Sequence, residues 1–407
     1  MKILWSSNSP FSTTGYGVQT RLFTPHIKNL GHDVRIQAWF GHENYTTEIN
    51  WGGIPITGRR FDPYGRDALP PLAARTQPDI ILTLVDAWIY DPALFRDFRW
   101  VPWFPVDSEP IPPMVTEAVR YAFERIVFSK FAQKQLEDQG LSCLYVPHGV
   151  DTKTFAFAPT DASRKYIGLP QDAYVVGMVA ANKGYPSRKA FEQNMAGFKL
   201  FSDKHPDALL FMQTWAGENG RWGQDCVNLL EYAHQIGLQP GKNLLFCDQF
   251  IATTQGFPDA YMVALYNSMD VLLSVSRGEG FGIPILEAQA CGTPVIVGDW
   301  TAMSELCFSG WKVKKDEAVR DPYWQKTWQY LPSVEAIADR LEMSYQMRGN
   351  EDYRKRARQG AEQYDVAKVT EKFWKPALEA IAARIEKVEA LKKMVSPSNL
   401  QVKEISA

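Results

Sequence analysis

The chain has 407 residues, 45% of them hydrophobic and 22% charged, with a formal net charge of -2. That composition excludes a disordered polymer and leaves room for two domains with separate cores. The near-neutral balance disfavours a protein held to nucleic acid by charge alone, although a local patch escapes that test and nucleic acid is not excluded as an acceptor.

The N-terminus, MKILWSSNSP, turns polar too soon for a signal peptide, and no later run reaches the roughly 20 apolar residues of a membrane span. A cytoplasmic protein is expected, with any membrane contact peripheral. Cys143, Cys226, Cys247, Cys291 and Cys307 show no C-x-x-C spacing and read as reduced thiols.

From residue 2 the order is strand (KILWSSN), glycine-bearing loop (SPFSTTGYG), helix from Val18 to Leu30 and strand (HDVRIQAWF), the opening of a βαβ unit. Apolar runs at 79–85, 100–106, 125–129 and 143–150 predict further strands, with a helix from Lys130 to Gln139 stopped by Gly140. The stretch 151–173 is polar and proline-containing and reads as a linker. Beyond it, strands at 174–181, 208–214, 243–249, 270–276 and 294–299 alternate with helices such as Ala190 to Lys204 and Cys226 to Ile236. Two successive doubly wound, Rossmann-like α/β halves facing a central cleft account for this order better than one long sheet. Pro332 to Met347 and the long pattern from Tyr353 to about Met394 read as terminal helices.

Chemistry concentrates in residues 276–295, SRGEGFGIPILEAQACGTPV, at the end of a predicted strand. Gly280, Phe281, Gly282 and Ile283 lead into a helix starting at about Pro284, so their backbone amides form a seat for an anion such as phosphate. Phosphate repels carboxylates, so Glu279 and Glu287, eight positions apart around that seat, are better suited to accept hydrogen bonds from hydroxyls. Two carboxylates flanking a diphosphate can hold two sugars, Glu279 a transferred hexose and Glu287 a ribose.

This stretch resembles the E-x7-E signature of retaining GT-B glycosyltransferases, specifically glycosyltransferase family 4 (glycosyl transferases group 1). VPHGVDTKTF (146–155), SKFAQKQLEDQG (129–140) and TTGYGVQT (13–20) are similar to further segments of that family, with His148 where asparagine is usual. The resemblance implies a GT-B fold and a nucleotide-diphosphate sugar of the UDP or GDP type as donor, with no cofactor and no metal. It implies donor contacts for Gly280, Phe281, Gly282, Ile283 and Glu287, a sugar contact for Glu279, and close approach at Gly15 and Gly17. Family members answer the diphosphate with an arginine and a lysine in an R-x4-K-G arrangement. This chain has AANKGYPSRKAF instead, and the roles pass to Arg188 and Lys189 with Lys183 as a competitor.

Where many members carry a histidine in the first half, Asp107 follows the strand WVPWFPV, with Glu109 and Asp86 as further acids near strand ends. The implied division is an acceptor-binding domain over 1–158, a nucleotide-sugar domain over 159–372, a helix over 373–394 returning to the first domain through Phe373, Trp374, Leu378 and Ile381, and a polar tail over 395–407. A kink or restart is expected at Pro376. The expected activity is retaining, metal-independent transfer to a hydroxyl of a glycan, glycolipid (lipid-linked saccharide) or other acceptor, with Trp39, Trp51, Trp88, Trp100 and Trp103 available to stack on sugars or bases. The competing readings are a sugar-nucleotide- or glycan-binding protein without transfer, a phosphorylase or epimerase of the same fold, and transfer to a modified base in DNA.

Overall fold

A computed structural model of the protein describes residues 1–217, 226–320 and 327–395. In the first half, β1 (Lys2–Asn8) leads into α1 (Gly15–Asn29), followed by β2 (Asp33–Phe40), β3 (Ile49–Trp51), β4 (Ile54–Gly58), α2 (Leu69–Thr76) and β5 (Ile80–Leu84). β6 (Trp100–Phe104), α3 (Pro113–Val119), β7 (Ile126–Val127), α4 (Lys130–Glu137) and β8 (Leu144–Tyr145) complete it. The sheet has eight strands in the order β3-β4-β2-β1-β5-β6-β7-β8, parallel among the described residues except where β3 pairs with β4. Successive residues of a strand face opposite sides, so Leu4 enters a core with Leu72 and Ile81 while Trp5 enters one with Phe23, Ile36 and Trp103.

The second half opens with α5 (Thr160–Ile167) and continues through β9 (Tyr174–Val179), α6 (Phe191–Ser202), β10 (Ala208–Gln213), α7 (Leu229–Ile236) and β11 (Leu244–Phe246). α8 (Gln249–Thr254), α9 (Asp259–Ser268), β12 (Val271–Ser274), α10 (Ile283–Ala290), β13 (Val295–Gly298) and β14 (Gly310–Val313) follow. Its sheet runs β11-β10-β9-β12-β13-β14, all parallel among the described residues, and β15 (Lys315–Arg320) pairs with β16 (Trp328–Pro332) as a separate antiparallel ribbon. The chain ends in α11 (Val334–Gln346), α12 (Glu351–Ala361), α13 (Val366–Val369), one π turn over residues 370–374 and α14 (Lys375–Val395).

Several elements differ from the sequence expectation, each for a local reason. α1 starts at Gly15 because the Thr14 side chain accepts the Gly17 amide, so both glycines sit in its first turn and not in a loop. The stretch 151–173 contains a helix, α5, whose Arg164 is buried against Asp270 at 2.7 Å. The expected helix from Cys226 begins only at Leu229, where the Asn228 side chain caps it. The long C-terminal pattern breaks at Asp365, and Pro376 stands second in α14 directly after the π turn, where the helical run continues with altered winding. The tail beyond Val395 lies outside the described residues.

The chain returns to the first half before Phe373: the Val366 amide donates to the Val150 carbonyl at 3.0 Å, and the Thr152 hydroxyl donates to Asp365. Trp374 is then fully buried among Trp5, Phe23 and Trp103, with ring centroids 5.8, 5.8 and 4.9 Å away. Phe373 packs edge-on against Tyr145, and Leu378 and Ile381 are fully buried.

Candidate active site

In each sheet one central strand has its neighbours reached in opposite directions along the chain: β1 between β2 and β5, and β9 between β10 and β12. Loops leaving such a pair diverge and open a crevice at the carboxyl ends of the strands. The loop after β9 carries Arg188 and Lys189, and the loop after β12 carries Glu279. In the first half, Tyr16 lies in the first turn of α1, Asp86 follows β5 and Asp107 follows β6.

These side chains meet across the two halves. Glu279, only 6% exposed, accepts from Lys189 Nζ and from Ser276 Oγ at 2.8 Å through Oε1, while Arg188 Nη1 approaches its Oε2 at 3.1 Å. Its own amide donates to Thr301 Oγ1 at 3.0 Å. Arg188 also reaches the first half, with Nε 3.4 Å from Asp107 Oδ2, and it donates to the Gly278 carbonyl. Tyr16 donates to Asp86 at the limit of a hydrogen bond, 3.5 Å.

Burial opposes ionisation of Glu279, but Lys189 and then Arg188 overcome it and hold the carboxyl down to about 2. Burial pulls Lys189 down and Glu279 offsets that pull; an ionised glutamate at contact distance keeps the ammonium charged. Arg188 is raised, because Glu279 and Asp107 outweigh burial. Asp86 behaves oppositely: burial, reinforced by the charge of Asp107, pushes it up to about 6. Asp107 is raised by burial despite Arg188.

The glycine turn brings backbone close to the first half. A Cβ on Gly278 would stand 1.9 Å from the Asp107 carbonyl oxygen, and one on Gly280 would stand 2.5 Å from Pro105 Cβ. Gly282, at φ +108, caps α10 in a conformation that disfavours any side chain. Phe281 turns into an aromatic cluster of the first half with Phe128 and His148, so what it offers the crevice is its backbone. Gly15 faces Ile283 across the crevice, where a Cβ would come within 3.1 Å of Ile283 Cδ1, while Gly17 packs on the carbonyls of Ser9 and Ser12. Glu287, half-buried on α10, accepts from Tyr266 OH at 2.8 Å and is pushed up to about 7, chiefly by burial.

Arg188 and Lys189 are thus brought to Glu279, whereas Lys183 is exposed and makes no ion pair among the described residues. Glu109 goes to the ribbon of β15 and β16, accepting from Tyr330 OH at 3.1 Å. His148, 2% exposed and stacked on Phe128 at 4.0 Å, is held neutral by burial and belongs to the core. Trp39, Trp100 and Trp103 are buried and offer no stacking surface, while Trp51 and Trp88 keep partial exposure. Sequence reasoning missed two contacts that close the crevice. Arg21 of α1 pairs with Asp259 of α9 at 2.9 Å, and Glu305 accepts the Lys130 and Phe131 amides of α4 at 2.9 and 2.5 Å. Tyr16, inside the quoted TTGYGVQT segment, was within reach of a search for polar residues beside strand ends.

Residues 237–322, which include Glu279, the glycine turn and Glu287, match the family Glycosyl transferases group 1. A D-inositol 3-phosphate glycosyltransferase from Corynebacterium jeikeium is 29% identical over 154 residues, which take in 37% of this chain and 34% of that relative. The chain therefore aligns with only about a third of that relative's length. Among solved structures, a sucrose-phosphate synthase from Thermosynechococcus elongatus superposes with a TM-score of 0.65 at 16% identity, over 97% of this chain and 100% of that one. Anabaena Alr3699/HepE in complex with UDP-glucose gives a TM-score of 0.65 at 16% identity, over 93% of this chain and 100% of that one. At these identities the likeness establishes the GT-B fold, two α/β halves with parallel sheets.

Proposed function

We propose that the protein is a retaining, metal-independent glycosyltransferase that moves a sugar from a nucleotide-diphosphate sugar to a hydroxyl acceptor. The observation that carries this reading is the convergence of Arg188 and Lys189 on Glu279 at the mouth of the crevice. A departing nucleoside diphosphate gains negative charge in the transition state, and two fixed cations stabilise that charge without reorganising. Before donor binds, Glu279 pairs with both cations and Asp107 shares Arg188. Once phosphate oxygens take over the cations, its carboxylate is released to accept from hexose hydroxyls. Glu287, farther along α10 and held by Tyr266, takes the ribose. The names of the relatives support this assignment, as does the UDP-glucose held by the Anabaena protein.

The E-x7-E likeness supports retention: in this reading the acceptor attacks the face from which phosphate leaves, its proton passes to a phosphate oxygen, and no protein base is needed. Positive charge comes from the arginine and the lysine, so the reading includes no metal. Asp86 and Asp107 line the first half's side of the cluster and would repel a phosphate placed beside them. The acceptor is accordingly read as an uncharged hydroxyl of a glycan or lipid-linked saccharide.

Enzyme-dependent release of UDP or GDP from a panel of nucleotide sugars, followed by mass spectrometry, tests the activity, and the anomeric proton of the product tests retention. Lys189→Ala is expected to lower turnover more than it weakens uridine binding. Glu287→Ala is expected to weaken binding of the free nucleoside diphosphate by about 1.5–3 kcal/mol, measured by calorimetry. Unchanged affinity in a folded Glu287→Ala protein removes the ribose assignment, and no donor turnover by the wild type removes the enzyme.

A further inference from the structure

Among the described residues three arginines are more than nine-tenths buried: Arg125, Arg164 and Arg277, at 8, 4 and 8% exposure. Two of them are satisfied by the fold. Arg125 donates to the carbonyls of Val119, Ser142 and Arg120 at 2.8, 3.3 and 2.6 Å. Arg164 donates to the carbonyls of Ser268 and Gln171 at 3.0 and 2.5 Å and to the Asp270 carboxylate at 2.7 Å. Arg277 differs: its Nε is sealed from solvent without a partner, and its guanidinium makes no hydrogen bond or ion pair among the described residues.

The backbone around Arg277 is well fixed. Its amide donates to the Arg188 carbonyl at 2.8 Å, and its carbonyl accepts from Trp300 Nε1 at 3.0 Å and the Tyr330 amide at 3.1 Å. The charged and titratable groups facing it are Glu192 and Tyr185. Glu192 is not within ion-pair distance, and its Oε2 is itself buried without a partner. A long side chain kept for its hydrocarbon stem leaves its charged head in water. Here Nε is sealed and the residue is only 8% exposed, so the terminal nitrogens hold what little contact with water remains, and a cation withdrawn this far without a protein partner is costly unless an anion meets it.

We infer that Arg277, on the loop that carries Glu279, binds an oxyanion, a phosphate group brought by a substrate. Guanidinium matches phosphate with a planar fork of donors. The loop pair joined by the Arg277–Arg188 backbone bond then holds Arg188, Lys189 and Arg277 besides the exposed Lys183, and Glu279 and Asp107 answer Arg188 and Lys189. The site does not depend on the glycosyl-transfer reading. Only the source of the phosphate does, either the donor's diphosphate or an anionic part of the acceptor remote from its reacting hydroxyl.

The test is calorimetric titration of the full chain with inorganic phosphate, UDP and uridine, comparing wild type, Arg277→Gln and Arg277→Lys. Arg277→Gln is expected to lose about ten- to hundred-fold in affinity for a phosphate-bearing probe while uridine binding stays the same, with Arg277→Lys in between. Loss with UDP assigns the donor diphosphate. Loss with inorganic phosphate but not UDP assigns a second anion. Phosphate binding that depends on Arg277 in a protein without donor turnover keeps the site and sinks the glycosyl-transfer reading. Affinities within two-fold of wild type for both probes overturn the inference. If Arg277→Gln does not fold, the wild-type melting temperature decides: no rise in phosphate over chloride of equal ionic strength also overturns it.

Discussion

Glu279 and Asp86 belong to one charge network, yet they respond to pH in opposite senses. Glu279 falls from 4.5 to about 2 on folding, so its contribution to stability is present above pH 4.5 and is lost as pH falls towards 2. Asp86 rises from 3.8 to about 6, so the folded protein keeps a proton that the unfolded chain releases. Its contribution is therefore greatest below pH 3.8 and is lost as pH rises through 6. A shift of about two units corresponds to about 3 kcal/mol, which partial contact with water reduces to roughly 1–2 kcal/mol. Asp86→Asn keeps an acceptor for Tyr16 and removes the charge. Urea denaturation should find it more stable than wild type by that amount at about pH 7, with the two curves converging at about pH 4. A gap that stays constant between those pH values would mean that Asp86 does not titrate there.

At the scale of elements, α4 has eight residues, too few to stand as an isolated helix. Ser129 accepts the Ala132 amide at 3.0 Å, and the two preceding amides, of Lys130 and Phe131, donate to Glu305 from the second half. One carboxylate thereby serves as a helix cap, a partner for the helix dipole and a tie between the halves. Glu305→Ala is expected to cost about 1–2 kcal/mol. Hydrogen exchange at the Lys130 and Phe131 amides should then accelerate more than exchange in β1. Unchanged protection at those amides would show that the tie contributes nothing to the helix.

At the scale of the whole molecule, the C-terminal segment joins two bodies that each have their own sheet. α13, the π turn and α14 lie along the first half, where Arg384 pairs with Glu124 at 2.7 Å and Arg99 pairs with Glu389. Those pairs are partly exposed and contribute little; Trp374, fully buried among three aromatic residues, contributes most. Trp374→Ala is expected to lower the unfolding free energy by about 3–5 kcal/mol in chemical denaturation. A loss under about 1 kcal/mol would show that the segment merely rests on the surface.

The sequence by itself determined the two α/β halves, the turn with Glu279 and Glu287, and the return of the C-terminal helix through Trp374. The halves and the turn rest on local signals, apolar runs bounded by glycine and proline and carboxylates at fixed spacing, whereas the return of the helix was implied by the family resemblance, with Phe373, Trp374, Leu378 and Ile381 at apolar spacing. It did not distinguish Lys183 from Lys189, because both lie in one loop and only the turn of that loop selects which ammonium meets Glu279. Nor did it join Asp107 and Asp86 to Arg188, or Glu305 to α4, since these partners are far apart in the chain and meet only when the halves dock. The unmet charge of Arg277 was decided by tertiary structure alone: burial and hydrogen bonding are properties of the packed chain, and the letters SRGEG look the same whether that guanidinium is paired or free.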